Sequence, residues 1–262
     1  RRQRLCGLDP EASPLPQIDE LSRTLRLPTR TSRQSGTAQP ARFENLAEKV
    51  GLNHAYQVAA ERQTEGFAIY QTYGGAVAVL DFDQDGRPDL YFAQGASDPP
   101  SFQGQLSNQL FRNLGDEQRG NPGAPPAFSL VDVTESSQAV DFRYSLGVTA
   151  GDWNQDGLAD LAVANLGEDS LLINNGDGTF TRRGIKAAGD QYRMPSSLAM
   201  ADINGDSLPD VFELAYVDDP TLILLPKRNE ARQVIKAMSP MQYAPGPDRV
   251  WINDERGGTT IE

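Results

Sequence analysis

Asp81, Asp83, Asp85 and Asp89 crowd into the decapeptide DFDQDGRPDL, residues 81–90, around a single glycine, Gly86. Carboxylates this dense either exchange protons, as acid–base pairs do in catalysis, or surround a cation. Left uncompensated they would repel one another strongly or be forced to protonate. The spacing favours the cation. Side chains at loop positions 1, 3 and 5 (Asp81, Asp83, Asp85) converge when the loop curls tightly, and a hard divalent ion takes about six to eight oxygens. Arg87 at position 7 offers its backbone carbonyl, and Asp89 at position 9 a further carboxylate. Gly86 at position 6 supplies the positive φ that folds the loop back.

The pattern occurs three times. DWNQDGLADL, residues 152–161, places Asp152, Asn154, Asp156, Leu158 and Asp160 at the same five positions. DINGDSLPDV, residues 202–211, places Asp202, Asn204, Asp206, Leu208 and Asp210 there. The third copy carries Ser207 where the others have Gly86 and Gly157, with Gly205 at position 4, which predicts a differently bent loop or a weaker site. Oxygen-only ligation without cysteine or convergent histidine favours Ca2+ over zinc or copper. Mg2+, which holds its waters, is disfavoured. The expected cofactor is therefore Ca2+, about one per loop. An EF-hand begins similarly but needs a glutamate at position 12 between two helices. Position 12 is Phe92, Val163 and Glu213, and the flanks read as strands, so an EF-hand is excluded and Glu213 is read as a coincidence.

The elements around the loops repeat as well. Small or aliphatic runs precede them (GGAVAVL, SLGVTAG, SSLAMA) and strand-like runs follow (LYFAQ, LAVAN, VFELAY). Further on come LFRN, LLIN and VWIN, each closing on an asparagine: Asn113, Asn174 and Asn253. Phe43, Phe128 and Phe180 open the units. Each unit thus predicts a Phe strand, an inner strand, the acidic loop, a middle strand and an Asn-ending strand. The units run over about 43–127, 128–179 and 180–262, with insertions confined to connecting loops. Four-stranded repeats of this size are the pattern of propeller blades. The expected fold class is all-β, a β-propeller with three recognisable blades that form part of a larger one.

Ahead of the repeats, residues 1–42 form a basic leader or arm rich in Pro, Ser and Thr. They hold eight arginines and four acids, which leaves −16 for residues 43–262 out of a formal total of −12. That acidity argues against nucleic acid and anionic membrane as partners, and no apolar run is long enough for a membrane span. Cys6, the sole cysteine, excludes an intrachain disulfide.

The three loops, with FENLAEKVGL and NNGDGTF, resemble the FG-GAP/VCBS repeat of integrin-α-like propellers. They are most similar to bacterial secreted proteins related to cartilage acidic protein and to the ASPIC/UnbV type. The resemblance covers residues 43 to about 260. It implies one Ca2+ per blade on the loop residues named above, and an extracellular, periplasmic or cell-surface location. Propellers of that family commonly have about seven blades. Three copies therefore imply a fragment, or completion by other blades or a neighbouring subunit.

The function expected from this reading is a calcium-binding, non-catalytic propeller for adhesion, recognition or assembly, with a protein or glycan partner on its loops. The alternative is a secreted propeller hydrolase or lyase acting on polysaccharide. No G-x-S-x-G, H-E-x-x-H or Walker-type loop occurs, and His54 is the sole histidine, so the enzyme is the weaker reading. Trp153, Trp251, Tyr91 and Tyr144 could stack on sugars, but packing between blades is the expectation. A cluster of acids and aromatics away from the loops would favour the enzyme.

Overall fold

The computed structural model describes residues 43–58, 69–96, 103–115, 128–185, 193–223, 227–231, 234–236, 240–254 and 259–261. The leader, 1–42, and the unit it was assigned as lie outside these residues. The chain divides into two compact units, Arg1–Asn45 and Leu46–Glu262, and the sheets belong to the second.

Three four-stranded antiparallel sheets follow one another along the chain. The first contains β1 (Val77–Leu80), β2 (Asp89–Phe92), β3 (Gln109–Gly115) and β4 (Ser129–Asp132), paired in that order. The second repeats the order with β5 (Ser145–Gly151), β6 (Asp160–Asn165), β7 (Asp169–Asn174) and β8 (Phe180–Ile185). The third begins with β9 (Arg193–Ala201) and β10 (Asp210–Asp218). A short ribbon of β11 (Lys227–Arg228) and β12 (Val234–Lys236) interrupts it before β13 (Arg249–Ile252) and β14 (Thr259–Ile261) complete it.

The hydrogen-bonded sheets are offset by one strand from the repeat units read in the sequence. The strand after Phe128 closes the first sheet, and the strand opened by Phe180 closes the second. Locality explains the second case: β7 and β8 are joined by Asn175–Thr179, a tight turn in which Asn175 N–H donates to the Thr179 carbonyl at 2.9 Å. The first unit's expected Phe strand does not form. FENLAEKVGL instead makes a 3-10 turn at Glu48–Val50, ended by Gly51 at φ 86°. Gly51 also lies so close to β4 that a Cβ there would sit 2.4 Å from the Leu130 carbonyl oxygen. Val50 N–H donates to the Leu46 carbonyl at 3.0 Å, closing a helical turn, and Leu46, Val50 and Leu52 pack on Phe111 and Leu130.

Sheet packs on sheet through alternating residues. Ala78, Leu80, Tyr91 and Leu110 of the first sheet meet Leu161, Val163, Leu172 and Phe180 of the second. The other face of the second sheet, with Ala162, Leu171 and Ile173, meets Val211 and Trp251 of the third. A separate cluster, including Tyr70, Tyr144, Leu166, Met194 and Val217, fills the strand ends remote from the acidic loops. Tyr91, Tyr144, Trp153 and Trp251 are all buried, so these rings pack between and beneath sheets. At the loop position where Phe82 is 4% and Trp153 6% exposed, covered by the sheet that follows, Ile203 of the third sheet's loop is 51% exposed among the described residues.

Candidate metal centres

Each acidic loop joins the first two strands of its sheet, so the three loops lie at equivalent places in successive sheets. Their closure uses the carboxylates as acceptors. Asp81 takes the backbone N–H of Asp85 on Oδ1 at 3.0 Å and that of Gly86 on Oδ2 at 2.9 Å. Asp152 does the same with Asp156 and Gly157. Asp202 accepts from Gly205 and Ser207. Position 5 accepts from the N–H of position 7 in every copy: Asp85 from Arg87, Asp156 from Leu158 and Asp206 from Leu208.

Position 9 ties the loop to the sheet. Asp89 accepts the N–H of Phe82 at 3.1 Å and that of Asn113 at 2.7 Å, one on each oxygen. Asp160 takes Trp153 and Asn174 in the same way, and Asp210 takes Ile203 and Asn253. All three carboxylates are fully buried. Burial pushes Asp89 up to about 6, partly offset by the N–H groups of Asn113 and Phe82 and reinforced by the charges of Asp83 and Asp85. Burial likewise raises Asp160 to about 6, against the N–H groups of Asn174, Trp153 and Asn154 and with the help of Asp156. A cation held nearby acts in the opposite direction, favouring the charged carboxylates.

The third loop keeps the same two left-handed positions, although Asp202 takes the position-4 N–H where Asp81 and Asp152 take that of position 5. Position 4 has positive φ in every copy (Gln84 56°, Gln155 57°, Gly205 81°), and so does position 6 (Gly86 79°, Gly157 87°, Ser207 74°). Each loop has one glycine for two left-handed positions, and the third copy simply moves it from position 6 to position 4.

The donor sets differ between copies. In the first loop, carboxylate oxygens of Asp81, Asp83 and Asp89 lie within 4.8 Å of one another, a spread that three oxygens at about 2.3–2.6 Å from one Ca2+ can adopt. This all-oxygen set fits the ion. Asp85 is directed elsewhere: it pairs with the Arg87 guanidinium, while Arg112 Nε lies 2.5 Å from Asp83 and its Nη2 3.4 Å from Asp85. In the second and third loops, Asn154 and Asn204 replace Asp83, and their amides donate to Asp156 and Asp206 at 2.8 Å. Among the described residues, no other group of three acids comes as close as the first loop's. Glu213 is no ligand of the third loop. It is buried in an ion pair with Arg193 at 2.6 Å.

Neighbouring loops are bonded to one another. Gln84 at position 4 donates to the Gly157 carbonyl at 2.8 Å, and Gln155 to the Ser207 carbonyl. Asn174 reaches from the second sheet to the Phe82 carbonyl, and Asn253 from the third to the Trp153 carbonyl. A buried network, unforeseen in the sequence, joins the first two sheets at their other end. Asn108 donates to Ser145, which donates to Asn165, and Ser170 donates to Asp141. Only the apolar residues around these polar ones advertise their burial, so no periodic signal marked them.

Residues 81–163 and 152–213 match the FG-GAP-like repeat, together just over half of the chain. The chain is also similar to human phosphatidylinositol-glycan-specific phospholipase D, with 33% identity over 106 residues. That match takes in 40% of this chain and 12% of the human protein, so the chain spans only a small part of its relative's length. With the spaced carboxylates recurring on three equivalent strand-to-strand loops, and with the family match running through all of them, the chain belongs to the FG-GAP-like repeat family.

Proposed function

We propose that this chain is a calcium-stabilised recognition module that works outside the cell, its three sheets being successive blades of a β-propeller. The observation that carries the calcium reading is the convergence of Asp81, Asp83 and Asp89 oxygens within 4.8 Å on a loop whose backbone is repeated twice more. Asp81, Asp83 and Asp89 would hold the ion in the first loop. Asp152, Asn154, Asp156 and Asp160, and Asp202, Asn204, Asp206 and Asp210, would do so in the others, joined by the carbonyls of Arg87, Leu158 and Leu208. A bound Ca2+ supplies charge neutralisation for these clustered carboxylates. The face-to-face stacking of four-stranded antiparallel sheets supports the propeller. FG-GAP-like repeats are typical of extracellular or secreted proteins. Among the described residues, no helix is long and apolar enough to cross a membrane.

In this reading the chain acts by binding, in adhesion, recognition or assembly, and the calcium loops hold the scaffold. The polysaccharide hydrolase or lyase loses the four rings that the sequence offered for stacking, because Trp153, Trp251, Tyr91 and Tyr144 are buried. Thermal unfolding of the purified chain in millimolar CaCl2 and in excess EGTA tests the calcium reading. EGTA should lower the midpoint by several degrees, and superimposable curves would remove calcium from the account.

A further inference from the structure

A cleft of about 940 Å3 opens beside the start of β3, and no residue of the three acidic loops lines it. Its volume is in the range of small-molecule sites, ~300–1,000 Å3. Two features of its wall restrict what it can hold. Among the described residues no Lys, Arg or His side chain lines it, whereas Asp132 and Glu135 do, and these two repel phosphates, sulfates and carboxylates. Much of the rest is side-chain amide and hydroxyl, with two apolar side chains left open to solvent: Leu106, 43% exposed, and Phe142, 44% exposed.

We propose that this cleft binds a neutral oligosaccharide, using the amides of Gln105 and Gln109, the carboxylate of Asp132 and the apolar surfaces of Phe142 and Leu106. A sugar hydroxyl both donates and accepts, as a side-chain amide does, and a carboxylate takes further hydroxyl protons. The C–H face of a pyranose covers an aromatic ring without leaving polar groups dry. Phe142 offers such a ring, whereas the tryptophans named above are enclosed in the core.

The wall is held in shape before any ligand arrives. Gln109 is fixed between His54 Nδ1 at 2.7 Å and Asp132, to which it donates at 2.8 Å. Asp132 also accepts the backbone N–H and hydroxyl of Thr134, at 2.9 and 2.5 Å. The rim bearing Gln105 and Leu106 is pinned to the segment bearing Phe142, which leads into β5, by two backbone bonds, Gly104 N–H to the Phe142 carbonyl and Asn108 N–H to that of Asp141. Beneath them Asn108 is fully buried, its amide donating to Tyr91 and Ser145. A wall ordered in advance spares the ligand the cost of ordering it.

This proposal rests on the recognition half of the proposed function and not on its calcium half. The test is isothermal titration calorimetry of the full chain in millimolar CaCl2 with cellotetraose, maltotetraose and triacetylchitotriose, and with tetralysine as the cationic competitor. At least one of the sugars should bind. Phe142→Ala should weaken that sugar about tenfold or more, equivalent to about 1.4 kcal/mol, with an unchanged thermal midpoint, since the ring is half out of the fold. Val79→Ala, at an exposed β1 position that does not line the cleft, should leave sugar affinity within about twofold. The proposal is overturned if none of the three sugars binds, or if the bound sugar ignores Phe142→Ala. It is equally overturned if tetralysine binds instead and Glu135→Gln abolishes that binding. An unresponsive sugar titration from a chain that still loses stability in EGTA sinks the cleft alone.

Discussion

The amide of Asn174 donates to the backbone carbonyl of Phe82 across 2.8 Å, joining the second sheet to a loop 92 residues earlier in the chain. Its second donation, to Ala159 at 3.3 Å, stays within its own sheet's loop. Asn253 repeats the arrangement, with Trp153 as the distant acceptor at 2.7 Å and Pro209 as the near one. Asn113 has only the near acceptor, Pro88, among the described residues. The closing asparagines of the second and third apolar runs are thus clasps between successive sheets, and the buried position-9 aspartate behind each holds its backbone.

Asn174→Ala would leave the buried Phe82 carbonyl without its donor, a loss of about 1–3 kcal/mol for a buried polar group stripped of its partner. Asn113→Ala breaks no bond between sheets and should cost less. Urea unfolding of the two variants measures the difference, and equal losses would show that the clasp contributes nothing of its own.

Much of this organisation was legible in the sequence. Spaced carboxylates, flanking aliphatic runs and closing asparagines located three loops and most of the strands, because each is a local pattern with a fixed period. Partnership was not legible. Which sheet takes the strand after Phe128 depends on pairing, not on period, and the repeat reading grouped it one sheet late. FENLAEKVGL aligned with two true strand segments, yet it closed into a turn, with the Val50 N–H on the Leu46 carbonyl. LFRN read as an apolar run, which concealed the guanidinium of Arg112 at the first acidic loop. The cleft beside β3 left no trace either, since its polar residues come from segments that only the fold brings together.

In the calcium reading proposed above, Arg112 should make the first loop less dependent on the ion than the other two. Its guanidinium lies against Asp83 and Asp85, where the corresponding residues of the later sheets are Ile173 and Ile252. Arg112→Ile removes two half-exposed ion pairs, each worth about 0.2–1 kcal/mol, and uncovers carboxylates that then need a cation. The variant should melt earlier than the parent in EGTA, and the gap should narrow in millimolar CaCl2. A gap of constant size in both buffers would mean that Arg112 and the ion do not share these oxygens.

Asp219 supplies an acid-sensitive tie remote from the loops. The Thr221 hydroxyl donates to it at 2.6 Å and the Thr221 N–H at 2.8 Å, and the Ala244 N–H donates to its other oxygen at 2.8 Å. These donors, the hydroxyl first, hold its carboxyl below the ordinary carboxylate value. A depressed folded-state value contributes stability that is present above the unfolded-state value and is lost as pH falls through the folded one. Asp219→Asn should therefore be less stable than the parent near neutrality and approach it as the pH drops below the ordinary carboxylate range. Denaturant midpoints of both chains across that range provide the measurement, and a pH-independent difference would assign the contribution to shape rather than charge.

Ser207 holds φ 74° without the freedom of glycine. Its N–H donates to Asp202 at 2.9 Å, matching the bonds of Gly86 to Asp81 and of Gly157 to Asp152, so the loop imposes that conformation whatever residue occupies the position. A left-handed backbone costs a residue with a Cβ about 1–2 kcal/mol. Ser207→Gly should relieve most of it and raise the thermal midpoint, since the serine side chain lost is an exposed one. The left-handed positions and the position-7 bond that the second and third loops share predict that Asp206→Ala costs as much as Asp156→Ala, since both strip the acceptor of the position-7 N–H. Differential scanning calorimetry of the three variants decides both points. A Ser207→Gly midpoint at or below the parent's would mean that the serine is not strained, and a markedly milder Asp206→Ala would restore a weakness particular to the third loop.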